Sequence, residues 1–588
     1  MKTRSVLRIR RARAGTAAAS AHSTLPVALL LLAGCLAGCL AGCRVTTDEI
    51  QGWARKASGP RKLVAVLQHE KYAPALRVDA ALTLLTMKPR GGRNVGLQGS
   101  EDSKGLLVAF QEMAPPARAK VLHGLAEPLA RGVLAKPTPD GVDPSIPYKD
   151  AAYALLTHDD GALISDVAAR EHLKSALVLW CSQDFTSRFD NTAQLYGMEQ
   201  VLRLLRDEGV APLTNLLAPG FSRTRELSEL IRELGSDSTK LRASRQLAEA
   251  GRKVDAAAWE SATRQLIKTR NQEASIKVDA LEFDKQVAVY RAAELERLFS
   301  GMKAVGGKPA VGYLLAYAGD PAHPADQRTI ALAALEGHMD RNDPAHAAGI
   351  LKLIESDSSP DTLRDLALRR AGELSYEQIA PGLYRMFSHR RWKVRWVAAS
   401  LALRMADAKY LPEFMSQLGK IDTMTMGEAL AYGGLLPSVR GVNAHDLALS
   451  YGVSSENPVP VRLTALSYYY EAGTALDLPT LKDLTSDPMK VPPCPPAEGP
   501  SADPDAADCA YVCTVTVDGK PSAQDIGTVG QFVEYCLLPA IDARTLASKA
   551  SAEAAKPAEV TGAPAPQATA PKAAAPKTEE TEKPKTSP

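Results

Sequence analysis

A short pattern recurs along the chain: an arginine, a small residue three positions later, and an apolar or small residue four positions after that. It occurs at Arg77/Ala80/Leu84, Arg328/Ala331/Leu335, Arg364/Ala367/Ala371, Arg395/Ala398/Ala402 and Arg462/Ala465/Tyr469. Positions i, i+3 and i+7 share one face of an α-helix, where small side chains let a neighbouring helix approach closely. The pattern therefore predicts a series of helices that pack through this face.

The spacing of these arginines indicates a repeat. The step is 36 residues from Arg328 to Arg364 and 31 from Arg364 to Arg395. The step of 67 residues from Arg395 to Arg462 accommodates one diverged unit, which includes Met426 to Leu436. Before several of the helices, a capping residue is followed by proline, which favours the first helical position. These pairs are Asp343-Pro344, Ser359-Pro360 and Asn457-Pro458.

The repeated segments resemble the HEAT-repeat family. The resemblance is carried by WKVRWVAASLALR (Trp392–Arg404) and VPVRLTALSYYYEAG (Val459–Gly473), within residues 304–487. It implies a curved stack of antiparallel helix pairs with a concave binding face. We therefore expect an all-α fold, an α-solenoid of HEAT-like helical hairpins, in which residues 60–251 form diverged N-terminal repeats.

One segment between the two repeat regions has a different composition. Residues 252–300 contain neither proline nor glycine, and apolar residues in 252–303 recur at helical spacing. Ile276, Val278 and Ala280 alternate instead, which suggests a break in the middle. We expect one long helix or a helical hairpin, and we favour a packed hairpin over a projecting arm.

The N-terminus resembles a bacterial lipoprotein signal. Basic residues precede the apolar run Leu25–Gly34, and the sequence LAGC then occurs three times, ending at Cys35, Cys39 and Cys43. This resembles the lipobox, in which the cysteine receives diacylglycerol and becomes residue one after cleavage. We expect residues 1–34 to be a signal peptide and 35–59 a lipidated linker. Cys35 gives an apolar run of ordinary length, and Cys39 and Cys43 are the alternatives.

This signal places the folded chain outside the cytoplasm, held to a membrane by its lipid. An uncleaved helix over residues 25–42 is the alternative anchor, and it implies the same side of the membrane. Neither Leu36 nor Arg44, which follow the outer two candidate cysteines, is aspartate. By resemblance to the sorting rule of some bacteria, this favours the outer membrane, with the folded part facing the periplasm or the cell surface.

The net charge argues against a nucleic-acid partner. The signal segment holds six of the basic residues and no acid, so its removal changes the formal net charge from +3 to about −3. These residues are Lys2, Arg4, Arg8, Arg10, Arg11 and Arg13. A weakly acidic chain lacks the basic surface that nucleic-acid binders present.

The composition changes again near the C-terminus. Cysteines cluster within residues 488–546, at Cys494, Cys509, Cys513 and Cys536. In an oxidising compartment four clustered cysteines suggest two disulfides, and three pairings are open. The alternative is a metal site at Cys509 and Cys513, but no second tight pair accompanies them. We expect a small disulfide-bonded cap.

Residues 547–588 are rich in Ala, Pro and Lys, which predicts a disordered tail.

No pattern in the sequence predicts catalysis. The metalloprotease, nucleophile-elbow, Walker and dinucleotide-binding motifs do not occur, so we expect no enzyme, no cofactor and no metal.

The candidate interaction patch, where basic and aromatic residues interleave, consists of Arg390, Arg391, Trp392, Lys393 and Trp396. The alternative is that Trp396 packs in the core while the charges are solvated. In Tyr468-Tyr469-Tyr470, we expect at least one buried ring and one exposed ring.

These observations favour a membrane-anchored scaffold that binds protein partners, as yet unknown, in the bacterial cell envelope through the solenoid surface. One alternative is a structural tether to the cell wall through the tail at 547–588. A second alternative is a lyase-type enzyme built on a HEAT-like stack.

Overall fold

The structure is a computed structural model, and helices dominate it. It describes residues 45–87, 96–100, 103–138, 142–158, 163–356, 358–493, 511–517 and 520–554. About 70% of these residues lie in helices and 3% in strands, which confirms the all-α prediction. None of the helices in the described ranges is long and apolar enough to cross a membrane.

The chain forms two compact units, Met1–Leu314 and Leu315–Pro588. The helices of the first unit are α1 Thr47–Trp53, α2 Gly59–Gln68, α3 Pro74–Thr86, α4 Leu106–Gln111, α5 Pro115–Val133, α6 Ile146–Thr157, α7 Val167–Ser182, α8 Phe185–Phe189, α9 Met198–Leu205, α10 Asp207–Val210, α11 Thr224–Leu234, α12 Asp237–Asp255, α13 Ala257–Glu273 and α14 Ala280–Val305. A short antiparallel pair, β1 Gly99–Ser100 and β2 Ser103–Lys104, precedes α4. Helix α15, Lys308–Gly319, runs across the boundary.

The second unit continues as a succession of helices and ends in a small mixed segment. Its helices are α16 Ala325–Ala333, α17 Pro344–Glu355, α18 Asp361–Ala371, α19 Tyr376–Arg385, α20 Trp392–Met405, α21 Leu411–Leu418, α22 Met426–Leu435, α23 Ala444–Gly452, α24 Val459–Ala472, α25 Leu478–Asp483, α26 Val529–Phe532 and α27 Leu538–Ala554. Strands β3 Val512–Val517 and β4 Lys520–Asp525 pair antiparallel before α26. Helix α22 covers all but the last residue of the segment Met426 to Leu436, where the sequence predicts a diverged unit.

Each arginine of the repeated pattern is the fourth residue of its helix and is buried. In four helix pairs its Nε donates to the carbonyl ten residues earlier, at the end of the preceding helix. These bonds are Arg77 to Leu67 (2.7 Å), Arg328 to Ala318 (2.8 Å), Arg364 to Ile354 (3.1 Å) and Arg462 to Gly452 (3.0 Å). Because the last carbonyls of a helix lack a partner within it, the arginine satisfies one and ties the two helices together.

The small residues of the pattern are buried as predicted. The residue three positions after each arginine is fully inaccessible; these residues are Ala80, Ala331, Ala367, Ala398 and Ala465. Helices α22 and α24 approach closely, and a Cβ on Gly433 would lie 2.5 Å from the Cβ and 2.6 Å from the carbonyl carbon of Ser467. Only glycine therefore fits at this crossing.

Segment 252–303 contains two helices rather than one. Helices α13 and α14 are joined by residues 274–279, where Ser275 adopts a φ of 56°. The C-terminal part of α14 packs on α11 and α12.

The C-terminal segment is fixed by a disulfide. Cys513 on β3 bonds to Cys536, with their Cα atoms 5.5 Å apart, and this is one of the pairings that the sequence left open. Cys494 and Cys509 lie outside the described residues, as do Cys35, Cys39 and Cys43. Helix α27 packs on α24, and Arg544 Nη2 donates to the carbonyls of Tyr469 (2.7 Å) and Gly473 (3.1 Å).

The predicted start of the tail at residue 547 is wrong. Helix α27 continues through Ala554, because the alanine-rich residues after 546 are good helix formers and extend a helix that is already nucleated. Residues 555–588 lie outside the described residues.

Replacement of a repeat arginine should destabilise its helix pair. Arg364 also donates from Nη1 to Asp361 (2.8 Å) and from Nη2 to the carbonyls of Ser356 (3.1 Å) and Ser359 (3.2 Å). We predict that Arg364→Met lowers the free energy of unfolding by about 3 kcal/mol, since three buried carbonyls lose their donor. Urea unfolding followed by circular dichroism measures this change.

The matched control for Arg364→Met is Arg369→Met, at an exposed position of the same helix. It should change the free energy of unfolding by less than about 0.5 kcal/mol. Equal losses from the two substitutions would show that the buried hydrogen bonds are not what stabilises the pair.

Candidate interaction surface

The candidate interaction patch lies at the start of α20. Arg390 and Lys393 are exposed, and Arg391 and Trp392 are half-buried. Trp396 is 38% exposed, so the alternative that it packs in the core is wrong. The buried residue of this stretch is Arg395, at 2% exposure. The reason is geometric, because each helical residue is rotated by about 100° from the one before. When Arg395 points into the core, Trp396 therefore points away from it, toward solvent.

Arg395 departs from the other repeat arginines in its acceptor. Its Nε and Nη2 each lie 3.1 Å from a carboxylate oxygen of Glu428 on α22, forming a fully buried bidentate pair. Its Nη1 donates to the carbonyls of His389 (2.9 Å) and Arg390 (3.2 Å). One guanidinium thus holds both α22 and the backbone that carries the patch.

Glu428 is fixed as firmly as its partner. It closes a capping box with Thr425 at the start of α22, where Thr425 N donates to Oε2 (2.7 Å) and Glu428 N donates to Thr425 Oγ1 (3.0 Å). Tyr432 also donates its hydroxyl to Oε1 at 3.3 Å. Burial is the main reason that the pKa of Tyr432 lies well above its usual value, and the negative charge of Glu428 is the second. Protein groups therefore take the place of water as hydrogen-bond donors to the Glu428 carboxylate.

A buried tyrosine of the C-terminal segment is influenced by the charges of this pair. Tyr511, which precedes β3, is 7% exposed. Burial first, and then the negative charge of Glu428, raises the pKa of Tyr511, while Arg395 opposes the shift.

The sequence around Trp396 is rich in cations. Residues 378–406 contain no aspartate or glutamate and six cations. The cations are Arg385, Arg390, Arg391, Lys393, Arg395 and Arg404. Glu428 balances Arg395, and Lys393 Nζ lies 5.9 Å from the ring centre of Trp392. The exposed indole of Trp396 offers an apolar surface beside these cations.

The three consecutive tyrosines behave as predicted. Tyr469 is fully buried, Tyr468 is half-buried and Tyr470 is 38% exposed. These rings lie on α24 and are not part of the patch.

A buried polar network in the first unit was not anticipated. Lys149, with no exposed surface, lies 2.6 Å from Asp150 and also donates to the carbonyl of Tyr196. Asp150 accepts from the backbone N–H groups of Leu195 (3.0 Å) and Tyr196 (3.2 Å). The network attaches the loop before α9 to α6, which is a structural role. A lysine–aspartate dipeptide is too common a pattern to have indicated it.

Cys181 lies beside this network and is a buried free thiol. Burial raises the pKa of the thiol to about 12, although Lys149 and Arg188 partly oppose the shift. A thiol with such a pKa is protonated at neutral pH and is a poor nucleophile.

In the part of the chain that the structure describes, no three His, Cys, Asp or Glu side chains are grouped to hold a metal ion. No protein-family model matches the chain, and no curated protein matches it either.

Loss of the carboxylate that balances Arg395 should be costly. We predict that Glu428→Gln lowers the free energy of unfolding by about 3 kcal/mol, because it leaves a buried guanidinium without a counter-charge. The double variant Arg395→Met/Glu428→Leu should be more stable than Glu428→Gln, since it removes both charges. Urea unfolding of the three chains measures the coupling.

The control for this series is Glu413→Gln, at an exposed position of α21. It should leave the unfolding midpoint nearly unchanged. A double variant no more stable than Glu428→Gln would contradict the assignment of a coupled pair.

Proposed function

We propose that the chain is an envelope lipoprotein whose helix pairs form a HEAT-like α-solenoid, and that it binds a protein partner as a scaffold rather than acting as an enzyme. The observation that carries the proposal is the exposed Trp396 within a stretch of 29 residues, 378–406, that has six cations and no acid.

The helix contacts of the second unit support the solenoid part of the proposal. Helix α17 packs on α18, its partner within the pair, and also on α19 of the next pair. Likewise α16 packs on α18, α20 on α22, and α22 on α24. When helix pairs stack in a row, each helix is expected to contact the helix two positions later in the chain.

The disulfide supports export. Cys513 and Cys536 are bonded, and structural disulfides persist in oxidising compartments such as the bacterial periplasm. This agrees with the lipobox-like sequence at Cys35, Cys39 and Cys43, whose lipid would hold the chain to a membrane.

The patch chemistry supports a protein partner that carries acidic residues. Tryptophan and arginine are enriched among the few residues that dominate binding energy at protein interfaces. Here a buried ion pair, Arg395–Glu428, holds the backbone on which the patch lies. A preorganised surface loses little conformational entropy when it binds.

We predict that Trp396→Ala or Lys393→Glu abolishes capture of the partner in cross-linking pull-downs from intact envelopes. Removal of a central aromatic contact typically costs about 2 kcal/mol, or roughly 30-fold in affinity. The captured proteins are identified and quantified by mass spectrometry against cells that lack the chain.

Ile330→Ala is the matched control, because Ile330 is also 38% exposed in the same unit but lies on α16, outside the patch. It should leave capture unchanged. The scaffold proposal fails if all variants capture the same proteins equally, or if the purified chain turns over a cell-wall or lipid substrate.

A further inference from the structure

A groove lies where helices α21, α23 and α24 meet. Helix α24 packs on both of the other helices, and the groove between them has a volume of about 390 Å³. Sites that hold small ligands typically have volumes of ~300–1,000 Å³. Residues from all three helices line the groove: Pro412 and Met415 from α21, Tyr451 from α23, and Asn457, Pro458 and Val461 around the start of α24.

The groove combines apolar surface with an aromatic ring. Met415 and Val461 are buried and supply apolar surface, whereas Pro412 and Pro458 are exposed and Tyr451 is half-buried. Proline-rich peptides bind to aromatic-lined grooves of this kind as polyproline II helices. A polyproline II backbone makes no internal hydrogen bonds, so the Tyr451 hydroxyl is suited to donate to one of its carbonyls.

The groove is held in shape by contacts between its helices. Asn457 Nδ2 donates to the carbonyl of Tyr451 at 3.0 Å, which fixes the end of α23 to the start of α24. At the end of α21, a Cβ on Gly419 would lie 2.9 Å from Pro458 Cγ, so α21 ends against the start of α24. A preformed groove loses little conformational entropy when it binds a ligand.

A segment near the C-terminus has the composition that this groove requires. Residues 563–576 read APAPQATAPKAAAP, with four Ala-Pro steps and no aromatic or large apolar side chain. The residue before a proline is disfavoured in the helical region and favours extended or polyproline II conformations. The sequence therefore favours polyproline II, and its small side chains allow a close approach to the Tyr451 ring.

We propose that residues 563–576 bind as a polyproline II helix in the groove of the same chain. The Ala-Pro steps pack against the Tyr451 ring and against Pro412 and Pro458, and the Tyr451 hydroxyl donates to a carbonyl of the segment. This contact does not involve the patch at the start of α20, so it is independent of the proposed scaffold function.

The C-terminal helix leaves this segment close enough to reach the groove. Helix α27 packs on α24, where Arg544 Nη2 donates to the carbonyl of Gly473 at 3.1 Å. The path from Gly473 back to Val461 is ~18 Å along α24. Ala554 lies ~15 Å beyond Arg544 along α27. Pro571 is 17 residues after Ala554, which spans ~50 Å in polyproline II, more than these two distances together.

Attachment to the same chain favours this segment over other occupants. A binding element joined to its site by a short linker has an effective concentration in roughly the millimolar range. A segment from a second copy, or a separate proline-rich peptide, would need a similar concentration to displace it. A groove of modest affinity is therefore filled by its own chain first.

The test is competition between the segment and a free peptide of the same sequence. A synthetic peptide of residues 563–576 is added to the full chain in non-ionic detergent, and its dissociation constant is measured by saturation-transfer difference NMR, which suits weak binding. The tail variant, Pro564→Gly/Pro566→Gly/Pro571→Gly/Pro576→Gly, should vacate the groove and bind the peptide at least tenfold more tightly than the unaltered chain does. Its matched control, Pro584→Gly/Pro588→Gly, should bind the peptide as weakly as the unaltered chain.

Two substitutions on α21 connect peptide binding to the groove. Ser416 is exposed and lines the groove, so Ser416→Trp added to the tail variant should fill the groove and abolish peptide binding. Gln417→Trp, on the same helix but outside the groove lining, should leave peptide binding to the tail variant unchanged. Circular dichroism should give the same helix content for every variant.

Three results would each overturn the proposal. The first is a peptide that binds neither the unaltered chain nor the tail variant, because the groove then does not recognise this sequence. The second is equal affinity for these two chains, which would show that the segment does not occupy the groove of its own chain. The third is unchanged binding in the presence of Ser416→Trp, which would place the peptide elsewhere.

Discussion

A buried guanidinium that bonds the end of the preceding helix is the interaction on which these helix pairs depend. Burial of a charge is expensive unless its donors are satisfied, and arginine has five donors in a rigid fork. Arg77, Arg328, Arg364 and Arg462 all place Nε on a helix-terminal carbonyl. Since each arginine is fourth in its helix, the bond also sets the length of the link, and the alanine three residues later must face the neighbouring helix.

The candidate patch arises where this arrangement changes. At Arg395 the main acceptor is the Glu428 carboxylate, and Nη1 bonds instead to the carbonyls of His389 and Arg390. The interaction that stabilises the helix pair elsewhere thus also fixes the backbone of an exposed basic and aromatic segment. Stability and the proposed binding function therefore depend on one ion pair.

The repeated helices could be predicted because their signal is local: i, i+3 and i+7 positions share a face whatever the partner is. The Arg395–Glu428 pair could not, since its members lie on different helices. One signal was available, because Glu428 occupies the repeat position between Arg395 and Arg462. Exposure of Trp396 was not decided by the sequence, since tryptophan is buried more often than not and rotation about the helix placed it outside.

The proposed row of helix pairs is tested most directly by hydrogen–deuterium exchange on an Arg328→Met chain. In a stack where each pair contacts only its neighbours, a local defect raises exchange nearby and its effect fades along the row. The account predicts faster exchange in α16, α17 and α18 and unchanged exchange in α22 and α24. An equal increase through α24 would show that the second unit unfolds as one globular core, and would contradict the solenoid.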